Sequence, residues 1–177
     1  MKVFKEEQRL TQTWFIIIVV ISAIGPLAFG VYGIIQQIIL KQPFGDKPMS
    51  DLGLIVFTIS MLLLSIFIFS FKLTTRIDEK GIHYQFFPIH FSLKTITWSE
   101  LKVAKVRSYY PISEYGGWGL RGGFFLNKSK GKAINVSGDI GIQLKYINGK
   151  KLLIGTQKQA EAKSVLETYQ HKIAYTC

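Results

Sequence analysis

The stretch whose residue types could do chemistry is Tyr115-Gly-Gly-Trp-Gly-Leu-Arg-Gly-Gly123, with five glycines, Trp118 and Arg121 in nine residues. Glycine admits positive φ and lets a ligand approach backbone amides closely. Arg121 offers a planar fork for a phosphate or carboxylate, and Trp118 an amphipathic ring suited to the headgroup level of a bilayer. The competing reading is a glycine-bent loop whose tryptophan covers one end of the domain. It is not a phosphate-binding P-loop, because no Gly-Lys-Ser/Thr ending follows and no helix is predicted to begin there. Close by, Lys128, Lys130 and Lys132 crowd a predicted turn, which reads as a solvated hairpin tip or as a lipid-contacting finger. Tyr115, Trp118, Arg121 and these three lysines are the candidate contacts to a ligand or a membrane.

Other chemistry is thin. His83 and His90 lie too far from any cluster of Cys, Asp or Glu to propose a metal site, and His171 falls on a predicted terminal helix. A zinc site needs three or four such donors. No Ser/His/Asp or Cys/His arrangement stands out, and paired carboxylates are scarce. The expectation is a non-enzyme with no metal and no cofactor. The single cysteine, Cys177, permits no intrachain disulfide.

The elements that must position these residues are set by two charge-free runs. No Asp, Glu, Lys or Arg occurs from Leu10 to Leu40, nor in the 20 residues from Leu52 to Phe71. A helix needs about 20 apolar residues to cross the hydrocarbon core of a bilayer. The expectation is a transmembrane hairpin (14–71) with helices at about 14–38 and 52–71 and an outer loop at 41–51. Trp14 is expected at the interface, where aromatics gather. Residues 1–13 read as a polar N-terminal tail. In the first helix Ser22, Pro26, Gly30, Gly33 and Gln37 recur at helical spacing, which predicts a close-packing face against the second helix. Pro26 removes one backbone donor and is expected to bend the helix. Neither run carries an ionisable residue, which disfavours transport.

Charge is unevenly placed: residues 1–13 carry +1, the 41–51 loop 0, and residues 72–177 +10, making up the formal +11. Beside a bilayer such a basic domain suits anionic headgroups better than nucleic acid. Lys2, Lys5 and Arg9 before the first run, with Lys72, Arg76 and Lys80 after the second, lead to the expectation that both termini are cytoplasmic by the positive-inside rule.

From Lys72 onward the period becomes two. Ile82, Tyr84 and Phe86 alternate with His83 and Gln85, and Ile142, Leu144 and Tyr146 with Gln143 and Lys145, the pattern of half-buried strands. Asn148-Gly149 is a hairpin signal. Residues 99–108 read as a strand with an irregular start, and Trp98 beside Glu100 as core packing with local turn chemistry. A final helix is expected to be capped by Thr156 with Gln159 completing a capping box, and to bury Ala162, Val165, Leu166, Tyr169 and Ile173. The architecture predicted for 72–177 is mainly β: about seven strands as a small β-barrel or bent sandwich closed by one C-terminal α-helix.

This order of elements, with the phrases Ile96-Thr-Trp-Ser-Glu-Leu101, Tyr115-Gly-Gly-Trp-Gly-Leu-Arg121, Asn135-Val-Ser-Gly138 and Lys151-Leu-Leu-Ile-Gly-Thr-Gln157, resembles the bacterial PH-like domains of small membrane proteins. A preceding pair of transmembrane helices belongs to the same pattern. The resemblance implies a PH-like fold and no assigned reaction. Lys72, Arg76 and Lys80 are interrupted by Asp78 and Glu79, unlike the basic cluster of PH domains that bind phosphoinositides. The expected role is a membrane-anchored binding or scaffolding module, for a protein partner or anionic headgroups. Alternatives are a subunit of a larger membrane complex or homo-oligomer assembled through the hairpin and, less favoured, an enzyme using the 115–123 loop.

Overall fold

The computed structural model describes residues 2–10, 12–122 and 131–173, and the chain divides into two compact units. One is Thr11–Phe71; the other combines Met1–Leu10 with Lys72–Cys177.

The first unit is a pair of helices, α1 (Thr13–Ile39) and α2 (Asp51–Phe69), each long and apolar enough to cross a membrane. The Ser50 hydroxyl accepts the Gly53 N–H at 3.2 Å, and Asp51 sits in the first turn, where a carboxylate suits the helix dipole. α1 is not uniform: its turns widen to i→i+5 spacing at Val20–Ile24 and Ile35–Ile39. The first wide turn stands directly before Pro26, which has no N–H to give.

That extra residue rotates the preceding part of the helix. Val19 and Ala23 are buried along with Gly30 and Gly33, while Ser22 turns outward and donates to Ile18 O at 2.6 Å. Ser22 is therefore not on the packing face, a correction that spacing at 3.6 residues per turn could not foresee. Pro26 is half-buried. The glycines lie close to neighbouring side chains: a Cβ on Gly30 would run into Thr58, and one on Gly33 would lie 2.8 Å from the Phe44 ring. Gln37 donates to Met49 O at 2.8 Å and Asp51 Oδ1 at 2.6 Å, tying the end of α1 to the start of α2.

The second unit has nine strands among its described residues, two more than expected. β1 (Phe4–Arg9), β2 (Lys72–Asp78), β3 (Gly81–Phe87) and β4 (Lys94–Thr97) form an antiparallel sheet in that order. β5 (Leu101–Ser108), β6 (Gly119–Arg121), β7 (Lys132–Asn135), β8 (Ile140–Tyr146) and β9 (Lys151–Gly155) form a second, ordered β5-β8-β9-β7-β6, in which only the β7–β9 pairing is parallel. Among the described residues the two sheets do not join into a closed barrel. Phe4, Leu73, Ile77, Ile82 and Phe86 of one sheet and Leu101, Ile142, Leu144 and Ile154 of the other are fully or nearly fully buried. Helix α4 (Gln159–Tyr169) packs against β1 and β2 of the first sheet and β5 and β8 of the second, burying Ala162, Val165, Leu166 and Tyr169. Just beyond it Ile173 is buried as well.

Several local expectations hold. A turn at Trp98–Glu100 and a register shift between Leu101 and Val103 give β5 its irregular start. Trp98 is buried, donates to Asp78 O at 3.1 Å and stacks on Tyr169 at 5.5 Å, while Glu100 and Thr97 form a capping box. Gly149 takes φ 81° in the β8–β9 hairpin.

Two expectations fail together. The N-terminal segment is a strand, not a tail: β1 pairs with β2 along its whole length, from Phe4↔Ile77 to Arg9↔Lys72. Its buried side chains are Phe4, Glu6 and Gln8. Glu6 accepts the Thr156 hydroxyl at 2.6 Å and the Gln157 N–H at 2.8 Å, and Gln8 donates to Gly155 O at 2.8 Å. Thr156 is thus held by Glu6. It does accept the Lys158 N–H at 3.1 Å, but α4 begins at Gln159 with no side-chain cap, so the predicted capping box does not form.

Candidate functional site

The segment singled out for its glycines begins as a short helix, α3 (Pro111–Tyr115), which Gly116 ends at φ 76°, a left-handed conformation that costs glycine little. The chain then runs through Trp118 into β6, the edge strand of the second sheet. Trp118 Nε1 donates to Gly138 O at 3.1 Å, and Arg121 Nε donates to Trp118 O at 2.9 Å. Asn135, fully buried on β7, accepts the Gly119 N–H at 2.9 Å and donates to the Tyr109 hydroxyl at 2.7 Å. Tyr109 and Tyr115 meet edge to face at 5.9 Å and, with Ala133 and Leu153, make a small apolar cluster. The loop is therefore built into the sheet, and Trp118 is a structural brace as well as a candidate contact.

The pairing registers lay out the polar row of this sheet. Lys105 lies opposite Gln143, which lies opposite Leu153, then Ala133, then Arg121. In the neighbouring row Val103 faces Lys145, which faces Lys151. Residues two apart in a strand share a face, so Arg107 joins Lys105, and Lys145 joins Gln143. The outcome is a groove of about 450 Å³ lined by Val103, Lys105, Arg107, Glu114, Tyr115, Gln143, Lys145 and Lys151.

At one side of it Arg107 is clamped. Its Nη2 lies 2.8 Å from Glu114 Oε2, 3.3 Å from the Tyr115 hydroxyl and 3.0 Å from Gln143 Oε1. Glu114 Oε1 accepts from the Tyr110 N–H at 3.0 Å. The hydrogen bond to Glu114 raises the Arg107 pKa, and burial raises those of Tyr109 and Tyr115, so both phenols stay protonated donors. Beyond the Arg107–Glu114 pair, Lys105, Lys145 and Lys151 also line the groove. Lys145 and Lys151 are directly opposed across strands, which brings two cations to one side of the groove.

Of the sequence candidates, Tyr115 lines this groove, Arg121 lies at the far edge of the same row, and Trp118 braces the connection. Lys132 opens β7 and is exposed; Lys128 and Lys130 lie outside the described residues. The sequence reading missed Lys105, Arg107, Lys145 and Lys151. The alternation of Val103, Lys105 and Arg107, and of Gln143 and Lys145, was the available signal, but only cross-strand pairing brings these stretches together.

A second polar cluster lies on the first sheet. His83 Nε2 donates to Asp78 Oδ1 at 3.0 Å, and Arg76 Nε lies 3.0 Å from Asp78 Oδ2. His83 thus has an acidic partner five residues before it in the chain. Burial pulls the Asp78 pKa up, but the His83 hydrogen bond, the Lys80 N–H and the positive fields of His83 and Arg76 outweigh it and leave it below 3.8. Among the described residues no group of three or more His, Cys, Asp or Glu gathers as a metal site would need. No family model, curated protein or solved structure matches the chain.

Proposed function

We propose that the chain is a membrane-anchored binding module. In this reading α1 and α2 cross a bacterial inner membrane, and a PH-like domain works at its cytoplasmic surface, taking an anionic ligand in the Lys105/Lys145/Lys151 groove. The observation that carries it is the β1–β2 pairing. The apolar insert leaves the domain after Arg9 and returns to it at Lys72, two residues paired in the sheet. Both ends of the insert then have to lie on one side of a membrane, which two crossings satisfy. Exposed apolar side chains along both helices, among them Ile21, Phe29, Leu52 and Leu63, suit lipid contact. Two sheets followed by a terminal helix are in keeping with the PH-like reading. Assembly of a larger complex through the glycine face of α1 is less favoured, because Gly30 and Gly33 are already buried, with the α2 side chains Thr58 and Leu54 among their neighbours.

The test is a photo-crosslinker at position 145 of the full chain in native membranes. An adduct with an acidic protein segment or an anionic lipid, lost in Lys105→Ser/Lys151→Ser and weakened by salt, supports the groove. No adduct, or one indifferent to those lysines, rules it out.

A further inference from the structure

The loop between β3 and β4 carries Ile89 and Phe91, which are 47% and 80% exposed. Among the described residues Phe91 is the most exposed of the large apolar side chains, yet the loop that presents it is firmly held. The His90 N–H donates to Phe86 O at 2.8 Å, and Gln85 Nε2 reaches His90 O at 3.2 Å and Phe91 O at 2.9 Å. The Phe91 ring meets the Phe87 ring edge to face at 5.8 Å, and Tyr84 meets His90 likewise at 5.8 Å. Ile89 and Phe91 together give this held loop an apolar tip that a covering surface would take out of water.

The register says what that surface is. Phe87, the last residue of β3, pairs with Lys72, the first residue of β2, and Lys72 pairs with Arg9, the last of β1. The loop therefore springs from the end of the sheet where the chain passes into α1 and returns from α2. Cations stand at that end too. Arg9 and Lys72 are there by register, Lys72 with its ammonium 3.6 Å from a Glu7 carboxylate oxygen, and Lys94 opens β4. Lys132 lies near enough to His90 that, after burial and Lys94, it helps hold the His90 pKa below its ordinary value. An apolar tip ringed by cations is the arrangement that enters the interface of an anionic bilayer.

We propose that the 88–93 loop is a membrane wedge: Ile89 and Phe91 insert among the acyl chains, while Lys94 meets lipid phosphates. The wedge would fix how the domain stands on the bilayer. It rests on the reading that α1 and α2 cross the membrane.

The test uses the full chain with Cys177→Ser, reconstituted in vesicles with about a third anionic lipid, a composition chosen for a clear surface potential. Single spin labels are placed at Phe91→Cys, at Lys80→Cys in the β2–β3 turn at the other end of the same strands, and at Leu63→Cys on α2. Accessibility to oxygen, which concentrates in lipid, is compared with that to a polar nickel complex. The wedge predicts that position 91 resembles position 63, with oxygen accessibility well above that of nickel, and that position 80 shows the reverse. It further predicts that adding Ile89→Asp returns position 91 toward the solvent pattern. Nickel accessibility at 91 equal to that at 80 overturns the wedge, as does shielding from both reagents, which would mean a protein cover. A solvent pattern at 63 overturns the anchor reading and the wedge with it, whereas a lipid pattern at 63 with solvent at 91 overturns the wedge alone.

Discussion

Glu6 is the residue on which the assembly of the β domain most visibly turns. It is 5% exposed, and its carboxylate takes one hydrogen bond from the Thr156 hydroxyl and one from the Gln157 backbone, joining the first strand to the entry of the last helix. A hydrogen bond to a charged group contributes about 1.5–3 kcal/mol. Glu6→Ala removes two and leaves a buried hydroxyl to find another acceptor, so it should cost about 3 kcal/mol. Glu6→Gln keeps one acceptor and the shape, and should cost about 1 kcal/mol. Lys5→Ala, on the exposed face of the same strand, should change stability by no more than about 0.5 kcal/mol. The assay is urea unfolding of the detergent-solubilised full chain followed by tryptophan fluorescence, since Trp98 is buried against Tyr169 and reports on the domain. A cycle with Thr156→Val should give a coupling of about 1–2 kcal/mol. If Glu6→Ala unfolds no more easily than Lys5→Ala, the N-terminal strand is not part of the folded domain.

The helical pair makes a separate prediction. Gly30→Leu would collide with Thr58 and should cost about 1–3 kcal/mol, read as a lowered thermal midpoint in detergent, whereas Ser22→Leu, on an outward position, should be tolerated. Asp78 predicts a pH effect. Its pKa in the folded chain lies below the unfolded 3.8, so the stability it adds is full above about pH 4 and is lost as the pH falls through the folded value. Acid unfolding should therefore be less steep below pH 4 for Asp78→Asn than for the parent; identical acid limbs would remove the carboxylate from the account.

Much of the fold is legible in local pattern. The two apolar runs, the alternation in β3 and β8, the Asn-Gly turn and the Trp98/Glu100 corner each carry their signal within a few residues. β1 is hidden because two of its three buried side chains are Glu6 and Gln8, so hydrophobic alternation is missing where polar bonds to residues about 150 positions away replace it. Ser22 is misplaced because a wide turn shifts the face of α1 by one residue. The site is half legible. Tyr115, Trp118 and Arg121 stand out by composition, but Lys105, Lys145 and Lys151 converge only through strand pairing between distant stretches.

The central claim is that one domain, built from both sides of the apolar insert, stands on one face of a membrane that the insert crosses twice. Its most direct test is labelling by an impermeant maleimide in sealed vesicles of known orientation, with Cys177→Ser and single cysteines at Lys5 in β1, Lys80 in the β2–β3 turn and Asp46 between the helices. The account predicts that positions 5 and 80 react together from the cytoplasmic side and position 46 only from the opposite side. Reaction of 5 and 80 from different sides, or of all three from the same side, would contradict it.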